Sequence, residues 1–280
     1  MLPLLALSTM LASASATACE MTPARLRVNN LDSPLGVPVK DPRLSWALEA
    51  ASSPPARGLV QTAYRIEASS KPGGPADLWD SGKISSANSL EILFGGKGLK
   101  PSTAVHWKVT AWHAGSPAAG CPSAAAVFET ALEAGEAGWA GSDWLARYPQ
   151  QALNASSCDL YADNNDRTQA PRFRAELTVP SIASARAYIV GLGYYQLYID
   201  GKRIGTSRLD PGWTTYSKHV LYAVYDVTVE LSAATTSQAA SKHAVGVELG
   251  NGWWNPMVRF ECSFSTVFLL FYTAFVLRLC

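Results

Sequence analysis

Over most of this chain apolar and polar residues alternate one for one in short runs. That period admits little besides β-strands with one buried and one wet face. Leu26 and Val28 alternate with Arg25 and Arg27. Tyr64, Ile66 and Ala68 alternate with Arg65 and Glu67, and Val105, Trp107, Val109 and Ala111 with His106, Lys108 and Thr110. Turn-forming clusters separate the runs: Ser53-Pro54-Pro55, Pro72-Gly73-Gly74-Pro75, Gly95-Gly96 and Gly98.

About seven short strands with turns between them predict a fibronectin-III or immunoglobulin-like sandwich over residues 24–131. Trp46, Trp79 and Trp107 are expected in its core. Residues 132–170 carry no periodic apolar pattern and read as a linker or insertion. A second β region runs over residues 171–258. Phe173, Ala175, Leu177 and Val179 alternate with Arg172, Arg174, Glu176 and Thr178. Tyr195, Leu197 and Ile199 alternate with Tyr194, Gln196 and Tyr198, and Asp200-Gly201 is a two-residue hairpin signal leading into Lys202–Gly205. Val245, Val247 and Leu249 alternate with Gly246, Glu248 and Gly250. The fold class is therefore all-β, two sandwich modules, the second jelly-roll-like. Charge supports no nucleic-acid role: 23 Lys and Arg stand against 22 Asp and Glu.

The first 18 residues are an apolar stretch giving way to small residues, with Ala14-Ser15-Ala16 and Ala16-Thr17-Ala18 as small-x-small cleavage patterns. They read as a signal peptide, and the chain as secreted and extracellular. The five cysteines, Cys19, Cys121, Cys158, Cys262 and Cys280, form no C-x-x-C. Cys121 and Cys158 lie in polar, loop-like sequence and could pair in an oxidising compartment. Asn154-Ala155-Ser156 is the single glycosylation sequon. The segment 259–280 is atypical, being almost wholly apolar from Cys262 to Leu277. That run is short of the roughly 20 residues a spanning helix needs. A membrane tail, a buried strand pair and sequence foreign to the domain all remain open, and a membrane contact follows only from the first.

Three strings in the second region resemble a known family. They are Gly191-Leu192-Gly193-Tyr194-Tyr195-Gln196-Leu197-Tyr198-Ile199-Asp200-Gly201-Lys202, then Leu209-Asp210-Pro211-Gly212-Trp213-Thr214-Thr215-Tyr216, then Leu249-Gly250-Asn251-Gly252-Trp253-Trp254-Asn255-Pro256. In this order and spacing they resemble the N-terminal β-sandwich of bacterial-type α-L-rhamnosidases, glycoside hydrolase family 78. Upstream, Pro42-Arg43-Leu44-Ser45-Trp46, Gln61-Thr62-Ala63-Tyr64-Arg65-Ile66 and Leu78-Trp79-Asp80-Ser81-Gly82-Lys83 resemble the fibronectin-III-like module preceding it. The resemblance stops near Met257, which favours the foreign-sequence reading of the tail and a second module truncated at about residue 258.

The resemblance implies inverting hydrolysis of terminal α-L-rhamnose from glycosides. That chemistry needs an acid and a base about 6.5–9.5 Å apart, which the family places on an (α/α)6 barrel. No residue here matches those positions. The chain is thus expected to be the non-catalytic N-terminal portion, inactive alone, with a carbohydrate-recognition or scaffold role toward rhamnose-containing carbohydrate. A stand-alone sugar-binding or adhesion protein, secreted or held by a membrane tail, is the alternative. Asn251, Trp253, Trp254 and Asn255 combine indoles with amides, as sugar faces and hydroxyls require, and are the expected carbohydrate contacts. Adjacent tryptophans divided between core and module contact are the competing reading. Some relatives use Ca²⁺ here; Asn251, the Pro256 carbonyl and, more weakly, Asp200 would supply its oxygens. Pro211-Gly212-Trp213 reads as a turn before a strand, and His106, His113, His219 and His243 as isolated.

Overall fold

Among the described residues, the first unit holds nine strands: β1 (Met21–Val28), β2 (Arg43–Ala50), β3 (Gln61–Ser69), β4 (Trp79–Asp80), β5 (Ile84–Ser85), β6 (Ile92–Leu93), β7 (Ala104–His113), β8 (Cys121–Pro122) and β9 (Ala126–Glu129). The computed structural model describes residues 19–51, 57–133, 135–139, 142–146, 171–216, 218–232, 240–250 and 274–279. The chain divides into two units between Glu133 and Ala134. In the first, β1, β2 and β6 form one antiparallel sheet. The other is centred on the β3–β7 pair, with β4 and β5 on β3 and with β8 and β9 on β7.

The period-two runs explain the packing between these sheets. Val28, Leu44 and Trp46 from one sheet meet Tyr64, Ile66, Val105, Trp107, Val109 and Phe128 from the other. Trp46 and Trp107 are core residues as expected, and Trp79 packs against the same cluster partly buried. The charged residue Arg25 falls where the β1–β2 register shifts, with φ 48°. A bulge there keeps Arg25 and Arg27 in water while Val28 turns inward. On the wet face of β3, Arg65 grips Asp80 with two hydrogen bonds of 2.8 and 2.5 Å. That guanidinium, helped by the Gly82 N–H, lowers the Asp80 carboxyl to about 2.

Cys19 is bonded to Cys121, with 5.6 Å between their Cα atoms and a sequence separation of 102. The expected Cys121–Cys158 pairing is therefore corrected: Cys121 is wholly buried on β8 and already taken. Sequence could not choose between them. The partner is decided by which distant segment the sandwich brings beside β8, and Cys19 leads directly into β1.

Among the described residues, the second unit contains β10 (Leu145–Ala146), β11 (Arg172–Val179), β12 (Arg186–Gly191), β13 (Tyr194–Ile199), β14 (Lys202–Arg203), β15 (Ala223–Asp226), β16 (Ser241–Gly250) and β17 (Ala274–Leu279), with a short α-helix, α1 (Thr228–Ser232), and a 3-10 turn at Glu136–Trp139. Two antiparallel four-stranded sheets result, ordered β10-β17-β12-β15 and β11-β16-β13-β14. Ala187 and Ile189 of β12 share a core with Tyr195, Leu197 and Ile199 of β13 and Val245, Val247 and Leu249 of β16. The inward set is the one the alternation marked. Register confirms it: Leu197 stands opposite Val247 and Ile199 opposite Val245. At the hairpin, Asp200 and Gly201 both take positive φ, 49° and 77°, as a two-residue turn of primed type demands.

One sequence expectation is corrected in this unit. The stretch 132–170 is not connector throughout, because Leu145–Ala146 pairs with β17 at the sheet's edge. Two paired residues carry no period to read. In the apolar tail, residues 274–279 form β17, which lies between β10 and β12, with Ile189 opposite Leu277 and Val190 opposite Val276. An interior strand reads as an unbroken apolar run rather than an alternating one. Residues 251–273, like the leader 1–18 and the sequon at Asn154, lie outside the described residues.

Candidate functional site

Of the expected site residues, Asp200 is the one among the described residues, and its carboxylate is occupied. Oδ1 accepts the Ala244 backbone N–H at 2.7 Å, and Oδ2 stands 2.7 Å from His243 Nδ1. The first bond and then the second hold the carboxyl below its ordinary range. A carboxylate can only accept, so Nδ1 carries the proton, and in the neutral ring Nε2 accepts from the Ser241 hydroxyl at 2.8 Å. The order Ser–His–Asp is that of a nucleophilic triad. Yet Ser241 and His243 are only 7% and 3% exposed, inward-facing on β16, so no substrate reaches the hydroxyl. The chain of bonds ties the β13–β14 turn to β16. Ser241 stands two residues away on the same strand, while Asp200 reaches His243 only through the β13–β16 pairing. Among the described residues no three His, Cys, Asp or Glu gather as a metal site.

This network gives a direct test. Asp200→Ala leaves the His243 N–H buried without its acceptor, which costs about 2 kcal/mol. Urea unfolding of the variant should show that loss. An unchanged midpoint would show that the turn stands without the carboxylate.

A second polar cluster lies where β13, β14 and β15 meet the segment 204–222. Gly205, at φ 74°, could carry no side chain: a Cβ there would stand 2.5 Å from Tyr225 Cε1. The bare backbone lets the Tyr225 ring close over it. Tyr225 then donates its hydroxyl to Asp210 Oδ2 at 3.3 Å and sits 3.0 Å from the Tyr195 hydroxyl. Since Tyr225 donates to the carboxylate, Tyr195 donates to Tyr225. Burial pushes both phenols up, Tyr195 far above the usual tyrosine range, so both remain neutral donors. The Asp210 carbonyl accepts the Tyr195 N–H at 3.1 Å. Arg203 of β14 donates from Nη2 to the Ser207 carbonyl, while its Nε is buried with no hydrogen-bond partner among the described residues.

This anchored base presents a large apolar rim. Pro211 is buried, following a cis peptide bond from Asp210, while Trp213 is 70% and Leu209 69% exposed. Leu209 also holds φ 58°, a conformation that costs a bulky side chain about 1 kcal/mol and collects at functional loops. Thr214 Oγ1 donates to the His219 carbonyl at 2.7 Å, and Lys218 N to Thr215 O at 2.7 Å, so the segment is internally bonded. Pro211-Gly212-Trp213 is thus not a turn before a strand; β15 begins only at Ala223. The sequence signal that could have revealed it was present: a tryptophan between Pro-Gly and two threonines, with no alternating run behind it. Asn251, Trp253, Trp254, Asn255 and Pro256 follow directly from the end of β16 at Gly250 and lie outside the described residues.

Comparison with known proteins accounts for both units. The Rha78A-like N-terminal immunoglobulin domain matches residues 23–134, and the α-L-rhamnosidase N-terminal domain matches 180–276. The second match runs through the apolar tail, in agreement with β17. An α-L-rhamnosidase of Formosa agariphila is 26% identical over 249 residues, covering 85% of this chain and 25% of its own length. One from Alteromonas sp. strain LOR is 30% identical over 227 residues, covering 79% and 23%. Among solved structures, the α-L-rhamnosidase of Dictyoglumus thermophilum is 30% identical with a TM-score of 0.66, over 92% of this chain and 27% of that one. The Aspergillus terreus enzyme shares the fold, with a TM-score of 0.69 at 22% identity and the same two coverages of 92% and 27%. The chain spans about a quarter of the length of the curated relatives it matches. Through both of its units, the chain belongs to the α-L-rhamnosidase family and corresponds to that family's N-terminal portion.

Proposed function

We propose that this chain is a non-catalytic, carbohydrate-recognising part of a secreted α-L-rhamnosidase, and that the 204–222 segment carries the recognition. One observation supports this most: Trp213 is 70% exposed on a segment whose base holds an ordered row of hydroxyl and carboxylate groups, Tyr195, Tyr225 and Asp210. Sugars offer apolar C–H faces to an indole and hydroxyl edges to such groups. The relatives named as α-L-rhamnosidases make terminal rhamnose the sugar to test. Hydrolysis belongs to the other three quarters of such an enzyme. Export is supported by the Cys19–Cys121 disulfide, since such bonds persist in oxidising compartments.

Calorimetric titration of the 280-residue chain with L-rhamnose, with and without Ca²⁺, tests the reading. Binding in the millimolar range or tighter is expected, and Trp213→Ala should abolish it. The same chain should release no rhamnose from an aryl rhamnoside; turnover above a blank would overturn the non-catalytic assignment. The exposed Leu209 and Leu221 favour a second reading, in which the segment packs on another part of the enzyme. Absence of any heat with rhamnose would leave that reading standing instead.

A further inference from the structure

Each sheet of the second unit turns one face to the core, and the two outer faces differ. On β12, Tyr188 and Val190 point away from the core yet are buried, and the Tyr188 ring meets that of Tyr222, itself against Trp139. On β11, β16 and β13 no outward residue is buried. Register sets the outward residues in rungs. Tyr194 stands opposite Gly250. Gln196 stands opposite Glu248, and Glu248 opposite Arg172. Tyr198 stands opposite Gly246, and Gly246 opposite Arg174. Partners across a ladder share a face, so these rungs make one surface. Glycine weakens a strand interior and often marks where a ligand or another backbone comes close. Neither Gly246 nor Gly250 takes positive φ. Packing does not demand them either: a Cβ would stand 3.7 Å from Tyr198 Cβ at the first and 3.4 Å from Tyr194 Cβ at the second, ordinary contacts. Tyrosine rings laid across the glycines would explain them structurally. Yet among the described residues no ring atom comes within 4 Å of either Cβ position. Tyr198 runs along its own strand instead, donating to Gln196 Oε1 at 2.6 Å. The floor is therefore open at two points about 14 Å apart along β16.

The geometry points to a second carbohydrate site on this face, one that takes a linear, uncharged oligosaccharide laid along β16. Its rings would rest on the bare backbone at Gly246 and Gly250, beside Tyr198 and Tyr194. The rung between them supplies the polar contacts. Glu248 Oε1 takes both bonds from Arg172, at 3.0 and 2.9 Å, which leaves Oε2 without a partner among the described residues. The Gln196 amide nitrogen and the Tyr194 hydroxyl are likewise without one. Donors and acceptors between apolar ring surfaces suit sugar hydroxyls between C–H faces. The charges beside the floor are already paired, Arg172 with Glu248 and Arg174 with Glu176 at 3.0 Å, so an uncharged ligand fits. A packed protein surface would strip water from those ions at a cost, whereas hydroxyls can bond to them and leave them wet. The separation of the glycines exceeds one sugar ring, which makes a chain the ligand. No side chain of the 204–222 segment is needed, so the inference goes beyond the reading above.

The experiment titrates the 280-residue chain with L-rhamnose and with a linear rhamnotetraose by calorimetry. The tetrasaccharide is expected to bind about tenfold tighter, the size of one further ring contact. Gly246→Val fills the floor. Its Cβ has room and valine suits a strand, so the urea midpoint should hold or rise. The tetrasaccharide's advantage should disappear in this variant, while rhamnose affinity stays within about twofold. Gln196→Ala should weaken the tetrasaccharide alone, by about fivefold, the size of one hydrogen bond. A glycine with a purely structural role would move stability and leave affinity alone. Equal affinity for the two sugars overturns the inference and spares recognition at the segment, as does an advantage that survives Gly246→Val. A Gly246→Val chain that fails to fold overturns it as well, since packing would then demand the glycine. Binding of the tetrasaccharide that Gly246→Val removes, with no heat from rhamnose, supports this site and overturns the segment's role alone. No heat from either sugar overturns both.

Discussion

Cys121→Ser is expected to lower the unfolding free energy of the first unit by about 4 kcal/mol. The bond closes a loop of 102 residues, nearly the whole unit. Restricting the unfolded chain over a loop of that length is worth about 4–5 kcal/mol in the chain-entropy account, and measured disulfides commonly give about 2–4. Domains keep only about 5–15 kcal/mol in total, so this single bond is a large part of the unit's margin. Urea unfolding followed by tryptophan fluorescence would report it, because Trp46 and Trp107 lie in that core. Reductant should bring the native chain to the midpoint of the variant. Coincident midpoints without reductant, or free thiols at Cys19 and Cys121 by mass mapping, would refute the bond's role. The second unit contains neither cysteine, so its own transition should not move.

Trp46→Ala should cost a comparable amount, about 4 kcal/mol. Trp46 is 2% exposed, packs edge-on to Tyr64 with ring centroids 5.2 Å apart, and donates its indole N–H to Gln61 Oε1 at 3.0 Å. Gln61, itself 2% exposed, passes its amide protons to the Ser86 and Asn88 carbonyls at 3.1 and 3.0 Å. The buried side chain thus joins β2 to β3 and to the 86–88 loop. Truncation leaves a cavity and an orphaned acceptor together. Trp46→Phe separates the two: it keeps most of the volume and loses only the bond, so about 1–2 kcal/mol is expected. If Trp46→Phe proves as damaging as Trp46→Ala, the indole hydrogen bond outweighs the packing of the ring. If both are silent, this tryptophan is not the centre of the core.

The legible part of the fold was the part with a period. Leu197, Ile199, Val245 and Val247 announced their inward face by alternation, because successive strand residues must point to opposite sides. Asp200-Gly201 announced its turn because few residue pairs accept two consecutive positive φ values. Neither β17 nor β10 was legible. An apolar run such as Ala274–Leu279 is equally an interior strand, a membrane tail or foreign sequence until its neighbours are known, and Leu145–Ala146 is too short to repeat anything. At the site, the family motifs drew attention to the stretch after Gly250. That stretch lies outside the described residues, and among those described the exposed indole beside anchored polar groups is Trp213.

Sequence alone therefore determined the fold class, the inward faces of the strands and the family resemblance. Each of these follows from local chemistry: side-chain alternation, turn residues and the order of short motifs. Tertiary structure alone decided the partners. Cys19 meets Cys121 across 102 residues, His243 meets Asp200 across 43, and Tyr225 meets Tyr195 across 30. Such contacts depend on strand order and register. No local preference encodes them, because the energy that selects them is the burial of both sheets at once.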